Sequence, residues 1–84
     1  MREYDEATQQ ALQNLVAAGV FKFMIHSRKG DWKHKTVEVL LAELKREVEE
    51  LEEAIVTGLP REHIISELGD IANYAAMILD KELK

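Results

Sequence analysis

Two pairs of acidic residues, each with its members three positions apart, carry the strongest chemical signal in this sequence. The first pair is Glu47 and Glu50, and the second is Glu67 and Asp70. Residues three apart on a helix are neighbours, with Cβ atoms about 5–6 Å from each other, so each pair can converge on one ion. Carboxylates that meet in one groove repel each other unless a cation joins them. Mg²⁺ is the hard, oxygen-preferring ion that suits such a cluster, with Mn²⁺ as an alternative.

The first pair lies in a glutamate-rich segment, where acidic residues three apart also arise by chance. Taken alone, Glu47 and Glu50 fit a solvated helix flank better than a metal site. We interpret the following glutamates of the segment as solvent-facing: Glu38, Glu49, Glu52 and Glu53.

Apolar periodicity predicts three helices. The first covers roughly residues 4–24, with Gly19 as a close-packing point or a bend, and residues 27–35 follow as a loop without apolar period. Thr36 is a suitable N-cap for the second helix. Gly58 fits the position just past its end, and Pro60 can open a third helix that runs to the C-terminus.

The second helix has the clearest pattern, with apolar residues at alternating steps of four and three. We call this stripe the seam, and we expect it to face other helices: Val37, Leu41, Leu44, Val48, Leu51 and Ile55. The short connection at residues 57–60 predicts an antiparallel hairpin of helices two and three, which brings both acidic pairs to one groove. The expected fold class is therefore all-α: a helical hairpin plus an N-terminal helix in one domain, residues 1–84, as a bundle completed by oligomerisation.

The length, composition and net charge of the chain restrict its possible binding partners. A chain of 84 residues without cysteine has a marginal core, so we expect a homodimer or homotetramer. The net charge of −5 argues against binding a nucleic-acid polymer. The charged N-terminus and the lack of a long apolar run predict no membrane association and a cytoplasmic location.

The segments 47–55 and 67–74 resemble the MazG-type nucleotide pyrophosphohydrolases, a family of all-α NTP pyrophosphatases. The family signature is Glu-x-x-Glu, a spacer, then Glu-x-x-Asp, and here sixteen residues separate Glu50 from Glu67. A weaker likeness lies in the run Lys29-Gly30-Asp31-Trp32, which is similar to a turn that some small members carry.

This resemblance implies that Glu47, Glu50, Glu67 and Asp70 bind Mg²⁺. It also implies cleavage of a nucleoside triphosphate between its α and β phosphates, which gives a nucleoside monophosphate and pyrophosphate. Family members usually have a further helix. Either a partner subunit supplies the side of the bundle that this further helix forms in the family, or the domain is inactive.

The expected mechanism uses the ions to polarise the α-phosphate and to lower the pKa of a bound water. Glu47 or Glu50 is the catalytic residue that orients or deprotonates this water, and the sequence does not choose between them. The competing function is a non-catalytic helical oligomerisation module or a nucleotide-binding regulatory module.

Basic side chains between residues 22 and 35 precede the acidic helix and could hold the terminal phosphates. The candidates are Lys22, Lys29 and Lys33, with a solvated surface as the alternative for each. Asn73 could contact a phosphate or hydrogen-bond at a helix interface. Trp32 could stack on a base or cap the core.

The three histidines have no Glu-x-x-His partner, which argues against a di-iron site. We interpret them as surface or loop residues: His26, His34 and His63.

Overall fold

Three α-helices make up most of the described chain. The computed structural model describes residues 5–26 and 31–84, without the side chains of residues 23–26 and 31. Helix α1 spans Glu6–His26, α2 spans Val37–Val56 and α3 spans Arg61–Leu83. These described ranges contain no strand, so the expected all-α class is confirmed.

The predicted ends of α2 are confirmed in atomic detail. The hydroxyl of Thr36 accepts a hydrogen bond of 3.1 Å from the Val39 amide, which caps the helix start. Gly58 has a φ of 73°, a left-handed conformation that glycine adopts without strain. Leu59 then donates its amide back to the Ala54 carbonyl at 2.9 Å, and Pro60 directly precedes α3.

The segment predicted as a loop before α2 contains a short 3₁₀ helix over Asp31–His34. A backbone bond of 3.0 Å from the Lys35 amide to the Trp32 carbonyl closes this turn. Such tight i→i+3 turns need no apolar period, so the sequence pattern did not indicate it.

Helix α3 lies in the middle and packs against α1 on one side and α2 on the other, while α1 and α2 make little contact with each other. Both neighbours run antiparallel to α3. Lys22 of α1 contacts Ser66 and Asp70, and farther back along α1 the carbonyl of Gly19 accepts a bond from Asn73.

Two glycines allow α1 to approach α3 closely. A Cβ atom on Gly69 would lie 2.7 Å from the Ala18 carbonyl oxygen and from Cγ of Lys22. A Cβ on Gly19 would lie 3.2 Å from Cβ of Ala72. Helix α1 continues unbroken through Gly19, so the close-packing interpretation of this residue is confirmed.

The described chain buries few of its apolar side chains. Leu40 and Ala54 are the fully buried hydrophobic residues of the described part, both in α2. The seam of α2 is covered on one side only, since Leu41, Val48 and Ile55 remain 46%, 46% and 56% exposed. The expectation that the whole seam faces other helices is therefore not met within one protomer.

Within residues 5–26 and 31–84, none of the helices combines the length and apolar character needed to cross a membrane.

Candidate metal centre

Helices α2 and α3 bring three of the four predicted metal ligands together. One carboxylate oxygen from each of Glu47, Glu50 and Glu67 lies within 4.8 Å of the other two. The antiparallel hairpin produces this convergence because one turn of α2 faces the turn of α3 that carries Glu67. Three oxygens at this separation could hold one metal ion.

These three residues, which we call the carboxylate cluster, extend from the helix interface to the surface. The Glu67 side chain is 13% exposed, Glu47 is half-buried and Glu50 is exposed. Oε1 of Glu47 and Oε1 of Glu67 are both buried and have no hydrogen-bond partner within the described residues. Buried carboxylate oxygens without a donor are costly, so this pair fits the requirement of a cation.

The pKa of Glu47 reflects the same crowding of carboxylates. Burial, followed by the charge of Asp70, raises the pKa of Glu47 from 4.5 to about 7. A hydrogen bond to Glu67 and the charges of Glu50 and Glu67 contribute to the same rise in pKa. That hydrogen bond requires a proton on Glu47; when both groups are ionised, their buried Oε1 atoms lack a donor. A divalent cation would take the place of this proton.

Asp70, the fourth predicted ligand, lies beside the cluster but is bound to a lysine of α1. Its Oδ2 is 3.0 Å from Nζ of Lys22, and the same ammonium donates to the Ser66 hydroxyl at 2.7 Å. Lys22 is only 13% exposed. The side chain expected to bind phosphate is thus engaged by the chain's own carboxylate and hydroxyl groups.

His63 is a neighbour of the cluster that the sequence interpretation missed. Its Nε2 lies 3.3 Å from Oε2 of Glu67, one helical turn away, although the imidazole is 51% exposed as expected for a surface residue. Glu67 therefore has one oxygen beside His63 and one buried oxygen without a hydrogen-bond partner in the described part of the chain. The spacing of four residues between His63 and Glu67 was the available signal.

An opening of about 410 Å³ leads to this side of the cluster, and Glu50, His63 and Glu67 lie in its wall. Water and a ligand of moderate size can therefore reach the exposed member, Glu50.

Three other predicted site residues lie toward the other end of the hairpin: Trp32, Lys33 and Asn73. Asn73 donates its amide to the Gly19 carbonyl at 2.9 Å, so it joins α1 to α3, as the interface alternative expected. The half-buried Trp32 ring has Nζ of Lys81 at 5.9 Å from its centroid, within cation–π range. Lys33 is exposed, and Lys29 lies outside the described residues.

Trp32, Lys33 and Asn73 border one open groove of about 490 Å³, together with Met77 on α3. This volume falls in the range of roughly 300–1,000 Å³ that is typical of small-molecule sites. On α3 the groove is bordered by residues from Asn73 onward, C-terminal to Asp70, and none of the carboxylates of the cluster lies in its wall.

No family model, curated protein or solved structure matches the chain. The functional argument therefore depends on the geometry of the carboxylate cluster and on the two acidic pairs in the sequence.

Proposed function

We propose that the chain is a Mg²⁺-dependent nucleoside triphosphate pyrophosphohydrolase of the MazG type, active as a homo-oligomer. It would cleave the bond between the α and β phosphates and release a nucleoside monophosphate and pyrophosphate. The observation that supports this most strongly is the cluster of three carboxylates within 4.8 Å. Two of them have a buried oxygen to which no described residue donates a hydrogen bond.

In this proposal, Glu47, Glu50 and Glu67 hold Mg²⁺, and Asp70 completes the acidic wall beside them. When bound, Mg²⁺ supplies Lewis-acid polarisation of the phosphate and lowers the pKa of water. Oxygen ligands of this kind are typical of Mg²⁺ sites that also engage substrate phosphates.

Glu50 is the carboxylate best placed to act on water. It is the exposed member of the cluster and lies at the opening, whereas Glu47 and Glu67 are more buried. A solvent-accessible carboxylate can orient the attacking water and accept its proton, which is the role of a general base. Glu47 is better suited to hold the ion, because its environment strongly disfavours an isolated negative charge.

Lys22 would reduce the net negative charge of the site. Its ammonium neutralises Asp70 at 3.0 Å and so lowers the negative charge that a polyphosphate meets. The groove beside Trp32 is the proposed place for the base, and Lys33 and Lys29 remain the proposed contacts of the terminal phosphates.

The experiment is an assay of pyrophosphate release from a panel of canonical and modified nucleoside triphosphates with Mg²⁺. We expect equal amounts of monophosphate and pyrophosphate, and a loss of at least about tenfold in Glu50→Gln and Glu67→Gln, since both change the immediate metal environment. Glu49→Gln is the control, because Glu49 is an exposed glutamate of the same helix that does not border the opening to the cluster. Wild-type rates in both site variants would end the proposal.

A second candidate is a helical oligomerisation or nucleotide-binding module without turnover, and the large exposed apolar surface favours it. The proposed enzyme and a nucleotide-binding module that holds the metal should both gain thermal stability from Mg²⁺. Stabilisation by Mg²⁺ without pyrophosphate release from any triphosphate of the panel would favour this second candidate.

A further inference from the structure

A second open groove lies at the end of the hairpin where α2 begins and α3 ends. It has a volume of about 690 Å³ and shares Trp32 with the groove proposed for the base, which Asn73 and Met77 border. We call it the lysine groove, because four lysines from two segments of the chain lie in its wall: Lys33, Lys35, Lys81 and Lys84.

The charge of the lysine groove is opposite to that of the whole chain. The chain has eleven Lys and Arg residues and sixteen Asp and Glu residues, which gives a net charge of −5. Four of the eleven border the groove, and Asp80 is the one carboxylate among the described residues of its wall. A groove lined by charges of one sign concentrates ions of the other sign, so this groove should attract anions.

Two of the four lysines have an acidic partner. Nζ of Lys84 lies 2.8 Å from Oδ1 of Asp80. Nζ of Lys35 lies 2.9 Å from Oε2 of Glu43, which is outside the groove wall. These two ammonium groups are therefore largely neutralised.

Lys33 and Lys81 are the other two lysines, and the ion pairs formed within residues 5–26 and 31–84 include neither of them. The half-buried Lys81 donates a hydrogen bond of 3.1 Å to the carbonyl of Lys33 and has its Nζ 5.9 Å from the centroid of the Trp32 ring. Neither contact cancels its charge. An ammonium carries three donors, so Lys81 retains donors for a ligand.

Helix position explains part of this pattern. Cations are favourable in the last turn of a helix, which accounts for Lys81 and Lys84 of α3. It does not account for Lys33 and Lys35, which precede α2 and reach the same groove because the hairpin is antiparallel. The fold thus adds two lysines to those that the end of α3 favours.

We propose that the lysine groove binds a ligand with two or more phosphoryl groups, such as pyrophosphate, and does so without a metal ion. Lys33 and Lys81 donate to the phosphoryl oxygens, since hydrogen bonds between ammonium groups and phosphate are among the strong ones in proteins. Lys33 is shared with the contacts proposed for the substrate, whereas Lys81 is not. The site therefore does not rest on the proposed function.

The lysine groove is well separated from the carboxylate cluster. Val37, in the groove wall, precedes Glu47 by ten residues, which corresponds to about 15 Å along α2. Lys81 follows Glu67 by fourteen residues, or about 21 Å along α3. One phosphoryl group cannot contact both sites, so binding in the groove and binding of metal can be measured separately.

Trp32 is the single tryptophan of the chain, so its fluorescence reports on this groove. The test is a titration with inorganic pyrophosphate in EDTA at constant ionic strength. We expect a saturable change in fluorescence and a dissociation constant raised at least about tenfold in Lys81→Gln, which removes a charged donor from this groove and not from the one proposed for the base. Lys45→Gln, an exposed lysine of α2 outside the groove, is the matched control and should bind like the wild type.

Three outcomes would overturn the proposal: no saturable change, the same change with sodium chloride at equal ionic strength, or equal affinity in Lys81→Gln and Lys45→Gln. Circular dichroism checks the fold of each variant. Should Lys81→Gln not fold, Lys33→Gln provides the same test from an exposed position.

Inorganic triphosphate and a nucleoside triphosphate distinguish a free polyphosphate from the tail of a nucleotide. We expect their affinities in EDTA to agree within about threefold, because the proposed contacts are to phosphoryl groups alone. A nucleotide that binds much more tightly would place the ligand in the groove proposed for the base and would contradict the proposal.

A last arm separates the lysine groove from the metal centre. Glu67→Gln should bind pyrophosphate in EDTA no more weakly than the wild type, because Glu67 does not border the groove. Weaker binding in this variant, or a strict requirement for Mg²⁺, would place the pyrophosphate at the carboxylate cluster and overturn the proposal. Metal-free binding by a chain that hydrolyses no nucleoside triphosphate would refute the proposed function and leave the lysine groove intact.

Discussion

The Lys22 ammonium lies 3.0 Å from Oδ2 of Asp70 and joins α1 to the edge of the carboxylate cluster. The lysine is 13% exposed and the aspartate 29%, so this ion pair is partly shielded from water. It is also the local counter-charge of an otherwise acidic face.

Lys22→Met should lower the free energy of unfolding by about 1–3 kcal/mol, because it leaves Asp70 partly buried without its donor. Lys84→Met is the matched control, since the Lys84–Asp80 pair at 2.8 Å is more exposed on both sides, at 72% and 43%. We expect that control to cost about 0–1 kcal/mol. Urea unfolding of the two variants measures the difference, and equal losses would contradict a special role of the Lys22–Asp70 pair.

The pKa of Glu47, raised to about 7 from 4.5, predicts a pH dependence of stability in metal-free protein. The folded chain binds more protons than the unfolded chain between these values. The free energy of unfolding should therefore fall as pH rises from about 4.5 to about 7 and level off above that range. Urea unfolding at several pH values from 4.5 to 8 is the measurement.

Glu47→Gln is the control for this pH profile, because the amide cannot ionise. Its stability should change less across the same range, and Mg²⁺ should flatten the wild-type profile by favouring the ionised carboxylate. Parallel wild-type and Glu47→Gln profiles would show that another group causes the dependence.

Gly69→Ala tests the close approach of α1 and α3. The new Cβ would lie 2.7 Å from backbone oxygen of Ala18, so the helices must separate, at a cost of about 1–3 kcal/mol. Gly19→Ala is the milder comparison, since its Cβ would meet Ala72 at 3.2 Å. Gly69→Ala should unfold at a lower temperature than Gly19→Ala. The reverse order of unfolding temperatures would contradict the described packing.

His63 should influence metal affinity through its contact with Glu67. His63→Ala removes the Nε2 group at 3.3 Å from Oε2 of Glu67, and loss of such a supporting contact typically weakens metal binding about 10–100-fold. His63→Gln, which keeps a donor, should recover part of the affinity. Titration of both variants with Mn²⁺ provides the readout, and wild-type affinity in His63→Ala would remove His63 from the site.

Local sequence signals were enough to predict most of the fold. Thr36, Gly58 and Pro60 act within a few residues of their own positions, and the structure has α2 and α3 where these residues place them. The convergence of Glu47, Glu50 and Glu67 could also be predicted, because the three-residue spacing and the short connection between the helices restrict where these side chains lie.

Contacts between residues far apart in the chain could not be predicted. Lys22 and Asp70 are 48 positions apart, and Asn73 is 54 positions from the Gly19 carbonyl that it binds. Which side of α3 receives α1 decides both contacts, and no local pattern encodes that choice. The seam of α2 predicted a surface that packs against other helices, but its periodicity did not show that Leu41, Val48 and Ile55 stay exposed within one protomer.

The central claim is that Glu47, Glu50 and Glu67 form a divalent-cation site, and titration with Mn²⁺ followed by electron paramagnetic resonance tests it most directly. The account predicts saturable binding to the wild type, competition by Mg²⁺, and at least about tenfold weaker binding in Glu67→Gln. Glu49→Gln, with its exposed side chain away from the opening, should bind like the wild type. Absence of saturable binding, or equal affinity in Glu67→Gln and Glu49→Gln, would contradict the claim.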